Sequence, residues 1–561
     1  MMSFIGVLLL FFVFLIVTAI PIGWYINKVM SHETTFLEKS FGKIEKKIYQ
    51  FIGNKVISME MTAKDYTKSV LSITFVSFIS LFILLLFQGA LPGNPNNVPN
   101  MSLTLSFNTA VSYITNTNWQ AYSGETQVSY LVQMLGLTVQ NFISAAAGIS
   151  VLFALLRGFK RKKCQTIGNF WKDMVRVLLY VLLPLSIIVS ILLMSQGVVQ
   201  NFSENLTINS LDGGAKQMIP FGPAASQIAI KQLGTNGGGF FGANSAHPFE
   251  NPTIFSNFIE NYAILIIPAA LVIAFGFFMS DMKQGRTIMI VSLLILIFAT
   301  IGIFISEMQP FMLEELQQIG NMEGKETRFG VIWSSLWASS TTAVSNGSVN
   351  GMMDSFTPLG GLLPMFLMQL GEIIFGGAGS GLYGMIVFII LTVFIGGLLV
   401  GRTPEYLRKK IDPYDMKMVC IAILTPLMFT LMGSMLFIIL GEPLMLLTNK
   451  GPHGFSEILY AFTSLANNNG SSFAGLAGDE PFLNIVGGFI MLITRFVPMI
   501  AIIFLANNLA SKKLTSVSSG TLSTTNITFI LMLIIIIFVI GALSFFPSLA
   551  LGPIAEFFIS R

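Results

Sequence analysis

Apolar runs of roughly 20 residues recur along the whole chain, each long enough to cross a bilayer as a helix. The first runs from about Ser3 to Ile26 and the last from about Asn526 to Phe546. Between them the pattern predicts paired spans near Val70–Leu91 and Val128–Leu156, then Val175–Ser195 and Ile254–Ser280. A third pair falls near Arg286–Ser306 and Met365–Val400, and a fourth near Lys417–Gly441 and Phe482–Asn507. The total is about ten crossings.

A second pattern lies inside each pair. A stretch of about 11 to 14 residues, too short to span and suited to a half-membrane helix, precedes a small polar cluster. The stretches are Ser102–Ile114, Pro223–Leu233, Val331–Val344 and Phe455–Ala466. The clusters are Thr115-Asn116-Thr117-Asn118, Thr235-Asn236-Gly237-Gly238, Ser345-Asn346-Gly347-Ser348 and Asn468-Asn469-Gly470-Ser471. They recur at a period of roughly 110 to 120 residues, which fits two spans plus connections. The expected fold is an all-α integral membrane protein with four pseudo-symmetric helix–pore loop–helix repeats around a central pore. Its units are an N-terminal anchor at 1–27, repeats at 69–156, 172–280, 286–400 and 417–510, and a closing transmembrane helix at 525–548.

Composition sharpens this picture. Of the 561 residues 53% are hydrophobic and only 10% charged, about half the charged share that a soluble chain needs. The first apolar run lacks the positive start of a signal peptide and ends in the interface pair Trp24 and Tyr25, so it reads as a retained anchor. Of the 31 Lys and Arg, 24 lie in Lys28 to Lys68, Arg157 to Arg176, Lys283 to Arg286, Arg402 to Lys417, and Lys512–Lys513. Gln88 to Tyr130 holds none. The positive-inside rule makes the five basic connections cytoplasmic, places the N-terminus outside, and lets all four polar loops enter from the outer face.

Several function classes drop out. The net charge of +4 follows topology and is no nucleic-acid signal. Cys164 and Cys420 indicate neither a disulfide nor a metal cluster. His32, His247 and His453 are scattered outside the spans with no metal-ligand spacing. Gly320 to Lys325 misses the phosphate-loop pattern in its glycine spacing and following residue, so no nucleotide site is expected in this chain. An intramembrane protease needs a serine with a base, or paired aspartates, at membrane depth. Gly379-Ser380-Gly381 offers the serine, but no histidine falls in any span.

The polar clusters suit a cation. Backbone carbonyls replace a hydration shell without burying a full negative charge, and irregular backbone at membrane depth survives only inside protein or beside a water-filled cavity. Glycine lets consecutive carbonyls align. Thr, Ser and Asn add side-chain oxygens. Each half-helix aims its negative dipole end at the ion.

At these loops the sequence resembles the family of potassium-binding subunits of the bacterial Kdp potassium-transporting ATPase, in TNTNWQAYSGE from Thr115, LGTNGGGFFGANSAHPFENP from Leu233, GSGLYGM from Gly379 and ANNNGSSFAGL from Ala466. More distant relatives are potassium transporters of the Trk and Ktr type. The resemblance implies a multi-pass protein of the bacterial inner membrane that binds potassium and has no catalytic site. Its partners are a P-type ATPase subunit that hydrolyses ATP, a single-span accessory subunit and, in some complexes, a small membrane peptide. Potassium enters through the outer filter and passes sideways through a tunnel to the ATPase subunit. Filter roles carry over onto Asn116, Thr117 and Asn118; Thr235, Asn236 and Gly237; Ser345, Asn346 and Gly347; and Asn468, Asn469 and Gly470. Gln120 matches a glutamine that affects ion affinity. In the first loop Thr117 is expected where the others have glycine. A free-standing potassium channel or gradient-driven transporter shares the same pore logic and stays open as an alternative.

Other residues stand out beside the loops. Arg495 is a charge in an apolar run, expensive near mid-membrane unless it faces a cavity or partner. The resemblance also points to Arg495, and to Arg402 at a cytoplasmic helix end, as charges that shape the ion path, and Arg495 is expected to stop potassium running straight through to the cytoplasm. Glu372 precedes a Gly-rich break from Phe375 to Gly381, which is read either as a gating loop under the filter or as close packing of small residues. On the gate reading, a bulky residue at Gly379 abolishes flux at normal expression. Asp479, Glu480 and Glu250 follow the loops and are read as solvated charges or as groups that concentrate cations.

Overall fold

The computed structural model describes residues 2–209, 214, 216–309, 320–440, 447–515 and 522–560. Met1 and Gly441, which bound two of the expected segments, lie outside these residues. Ten helices among the described residues are long and apolar enough to cross a membrane. The protein is a mostly helical, multi-pass membrane protein.

Helix α1 is Met2–Met30, and the amphipathic α2, Glu38–Ile52, follows it. A first unit comprises α3 (Ala63–Phe87), the short α4 (Leu103–Ile114) and α5 (Val132–Lys160). A second comprises α6 (Phe170–Ser195), the short α7 (Ala224–Leu233) and α8 (Ile254–Phe278). The third has α9 (Met282–Glu307), the short α10 (Gly330–Ala343), then α11 (Pro358–Gln369) and α12 (Ser380–Leu399). The fourth has α13 (Pro413–Leu440), α14 (Gly451–Asn467) and α15 (Pro481–Ser511). The chain closes with α16, Ile527–Ile559.

The boundaries have local causes. Thr62 and Thr253 each form a capping box that supplies acceptors to the first free N–H groups of α3 and α8. Pro452 takes the first turn of α14, where its missing N–H costs no hydrogen bond; this helix therefore starts four residues before the expected Phe455. Helix α16 runs past the expected end and bends at Gly552, next to Pro553. The span expected at Met365–Val400 is two helices, because Gly371, Glu372, Phe375, Gly376 and Gly379 all take left-handed backbone conformations. A short hairpin, β1 (Leu206–Asn209) against β2 (Lys216–Ile219), pairs antiparallel with Leu206 opposite Ile219.

Helices α5 and α8 are almost entirely buried, whereas α1, α3 and α13 turn most of their apolar side chains outward. Close packing comes from small residues, which let backbones approach where no hydrophobic force draws helices together. Gly23 lies against Ala270, and Gly158 against the Ala506 carbonyl.

The basic connections gather at one face. Several of their charges are buried and paired rather than solvated. Arg157 holds Asp173 at 2.6 Å, Arg176 meets Glu45 at 3.3 Å, and the Lys409 ammonium donates to the carbonyls of Leu509 and Lys512 at 2.8 and 3.0 Å. Each of the four short helices ends at one polar cluster.

Candidate ion-binding site

Each short helix stops in the same way. One residue just past the helix turns left-handed, the second of the first cluster and the first of the other three: Asn116 (φ 68°), Thr235 (53°), Ser345 (59°) and Asn468 (59°). Two residues later the backbone turns left-handed again, at Asn118 (54°), Gly237 (84°), Gly347 (83°) and Gly470 (100°). The residue between them donates its N–H to a helix carbonyl: Thr117 to Ser112, Asn236 to Lys231, Asn346 to Thr341 and Asn469 to Ser464, at 2.8–3.1 Å. This repeat corrects the expected register. Asn118, not Thr117, stands where the other loops have glycine, and Thr117 aligns with Asn236, Asn346 and Asn469. Asparagine tolerates the left-handed region better than other side chains, so the first loop keeps the turn without glycine.

The loops close into a ring. A Cβ on Gly237 would collide with the Asn346 carbonyl, one on Gly347 with the Asn469 carbonyl, and one on Gly470 with the Thr117 carbonyl. Side chains tie the same neighbours together. Asn116 Nδ2 donates to the Thr235 carbonyl at 2.8 Å, and Asn236 Nδ2 to Asn116 Oδ1 at 2.6 Å. Ser345 Oγ donates to the Asn468 carbonyl at 2.9 Å, Asn469 Nδ2 to the Thr341 carbonyl at 3.0 Å, and Asn468 Nδ2 to Thr117 Oγ1 at 3.0 Å. All twelve expected filter residues meet here, and all but the partly exposed Gly470 are buried. Asn118 Oδ1 and Asn236 Oδ1 are buried oxygens with no hydrogen-bond donor.

Gln120 explains itself by two bonds. Its Nε2 donates to the Gly239 carbonyl at 3.0 Å, and its Oε1 accepts the Gly239 N–H at 2.9 Å. It locks the first loop to the second.

The Gly-rich break hangs on the ring. The Ala378 N–H donates to Thr235 Oγ1 at 2.8 Å, and Asn469 Nδ2 donates to Glu372 Oε1 at 2.8 Å. Beside it lies a cavity of about 100 Å³, lined by Ser345 and Asn468 of the ring, by Glu372, and by Arg495. Arg495 sits near the middle of the 31-residue α15 and is 7% exposed. No hydrogen bond or ion pair holds its side chain among the described residues. The same cavity is lined by Val387 of α12, Pro426 of α13 and Gly541 of α16.

Gly379 lies at the start of α12 with φ 87°, and a Cβ there would collide with the backbone of Gly148. Close packing therefore constrains this glycine, whatever part the break takes in gating. Arg402 lies beyond the far end of α12, exposed and away from the ring, its N–H bonded to the Gly397 carbonyl at 2.8 Å.

The loop charges are not free. Glu250 is fully buried and paired with Lys231, so the expectation of a solvated or cation-gathering role for it fails. Glu480 caps α15 through the Leu483 N–H at 3.0 Å, and Asp479 accepts from Asn484 at 2.9 Å. His247 stacks on Phe241 with centroids 4.1 Å apart. His453 bridges Asp354 at 3.0 Å and Glu556 at 2.8 Å. Burial alone would lower its pKa, but the hydrogen bonds to both carboxylates prevail and raise it to about 10.

Sequence reasoning missed Lys231, Asn244 and Glu260 behind the second loop. One signal was available: Lys231 is a lone cation in an apolar half-helix on the face that is otherwise poor in Lys and Arg.

Residues 9–558 match the family described as potassium-transporting ATPase A subunit. The chain is 58% identical over 551 residues to the potassium-transporting ATPase potassium-binding subunit of Listeria monocytogenes, covering 98% of each chain. It is 55% identical over 566 residues to the protein of the same name from Clostridium perfringens, again over 98% of each. Among solved structures, the potassium transporter TrkH from Vibrio parahaemolyticus aligns with a TM-score of 0.49 at 14% identity, covering 75% of this chain and 84% of that one. On the family match and the identities to its relatives, the chain belongs to the potassium-transporting ATPase A subunit family.

Proposed function

We propose that this chain is the potassium-binding and translocating subunit of an ATP-driven potassium uptake complex. The observation that carries the reading is the closed ring of four loops, each built on the same pair of left-handed turns and packed on the next loop's carbonyl or side chain. In this reading potassium loses its water to Asn116 to Asn118, Thr235 to Gly237, Ser345 to Gly347 and Asn468 to Gly470. It then enters the cavity beneath them. The unpaired guanidinium of Arg495 repels a cation moving straight on, and the space lined by α12, α13 and α16 offers it a sideways path instead. Hydrolysis of ATP falls to a partner. The relatives are named as potassium-binding subunits of an ATPase. The partners are a P-type catalytic subunit, a single-span accessory subunit and a small membrane peptide. The setting is the bacterial plasma membrane, with the N-terminus and the ring's mouth outside and the basic connections in the cytoplasm.

The test is co-expression with the neighbouring P-type ATPase subunit. The reading expects the two to purify together and hydrolysis to rise with potassium. If no ATPase co-purifies and the chain alone carries potassium into liposomes, it is a free-standing transporter instead.

A further inference from the structure

The second loop is built differently from the other three. The residues whose carbonyls fix the ring turns are Ser112, Lys231, Thr341 and Ser464. Three carry a short neutral hydroxyl; the fourth carries an ammonium. Lys231 is fully buried, and its Nζ contacts Glu250 and donates to Asn244 Oδ1 at 2.8 Å. Asn244, itself left-handed at φ 53°, passes the connection on. Its Nδ2 donates to the carbonyl of Gly237 at 2.8 Å. Gly237 is the ring glycine packed on the Asn346 carbonyl. The ammonium also lies close to the loop, with Nζ 2.6 Å from where a Cβ on Gly239 would sit.

More negative charge stands behind it. Ser245 Oγ lies 2.7 Å from Glu250 Oε1 and 3.0 Å from Glu260 Oε2, and Gln232 Nε2 donates to Glu260 at 2.9 Å. One oxygen of each carboxylate is buried without a donor. Closing the turn does not need this cluster, since three repeats close it with serine or threonine. Burying an ion pair costs desolvation that a neutral group avoids. A fixed cation beside the ring also acts on any cation bound in it.

We propose that Lys231, Asn244 and Glu250 are positioning residues that set the affinity and ion preference of the second filter loop. The ammonium fixes Asn244, Asn244 fixes the Gly237 carbonyl, and Glu250 cancels a charge that would repel the bound ion. The inference rests on the potassium-binding reading above and adds the groups that tune it.

The experiment uses the purified full chain in lipid nanodiscs. Protection against thermal unfolding is titrated with potassium, rubidium and sodium, because an ion that binds the folded state stabilises it by mass action. Asn244→Ala and Glu250→Gln are each expected to raise the half-saturating potassium concentration about ten-fold and to narrow the gap between ions. The double variant Lys231→Met with Glu250→Gln removes both charges and is expected to recover part of the loss seen in Glu250→Gln. Asn244→Asp keeps an acceptor for Lys231 but no donor for Gly237, and serves if the alanine variant fails to fold. A residue that only supports the fold lowers the unfolding temperature in potassium-free buffer and leaves half-saturation and ion order unchanged. That outcome overturns the proposal while potassium binding by the wild type stands. A wild-type chain that no potassium concentration protects overturns both.

Discussion

At the scale of single residues, the ring depends on backbone that most side chains avoid. Thr235 is β-branched and left-handed, a combination that costs roughly 1–3 kcal/mol. Its hydroxyl offsets part of this by accepting the Ala378 N–H. The polar clusters were legible in the sequence because composition alone marks them. Their register was not. Matching Thr115-Asn116 to Thr235-Asn236 puts Thr117 opposite glycine, whereas the bonds to Ser112, Lys231, Thr341 and Ser464 shift the first loop by one residue. Letters gave no access to that bonding. Gln120 supplies a prediction here. Gln120→Ala removes two hydrogen bonds to Gly239, each contributing about 1 kcal/mol. The half-saturating potassium concentration should rise roughly ten-fold, read in a potassium titration of ATPase activity, with maximal rate little changed. An unchanged concentration would mean that the two loops hold their places without it.

At the scale of elements, four half-helices deliver the loops and one broken span closes the space beneath them. The break was visible as a glycine run, but the choice between gate and packing was not, because the partner of Gly379 is 231 positions earlier in the chain, at Gly148. The structure changes what a bulky substitution means. Gly379→Val forces a β-branched residue to φ 87° against backbone, so the yield of folded protein should fall, measured by fluorescence-detected gel filtration. Normal yield with abolished flux would restore the gate as the dominant role. Arg495 was legible as a misplaced charge, and the cavity now gives it a location. Arg495→Ala should let potassium leak through complex-bearing vesicles without ATP, measured as passive rubidium-86 uptake. Tight vesicles with coupling intact would remove Arg495 from the ion path.

At the scale of the whole molecule, ten spans and the alternation of basic and cation-poor connections could be read from hydropathy and charge. The buried ion pairs could not, since Arg157 and Asp173 look like solvated loop residues until the helices are packed. The same holds for His453, whose partners come from distant segments at Asp354 and Glu556. Its pKa is raised from 6.5 to about 10. The stability it contributes is therefore fully present below pH 6.5 and lost as pH rises through about 10. The melting-temperature difference between wild type and His453→Gln should shrink over that window. A difference independent of pH would show that the imidazole is not charged in the folded protein.

The central claim is that the four-loop ring is where potassium is selected for the pump. Its most direct test is potassium-stimulated ATP hydrolysis by the purified complex, wild type against Gly237→Asp. The substitution puts a carboxylate where even a Cβ meets the Asn346 carbonyl. The account predicts stimulation of the wild type at low potassium and, in the fraction of variant complex that assembles, a requirement at least about a hundred-fold higher. Equal stimulation of both proteins would contradict it.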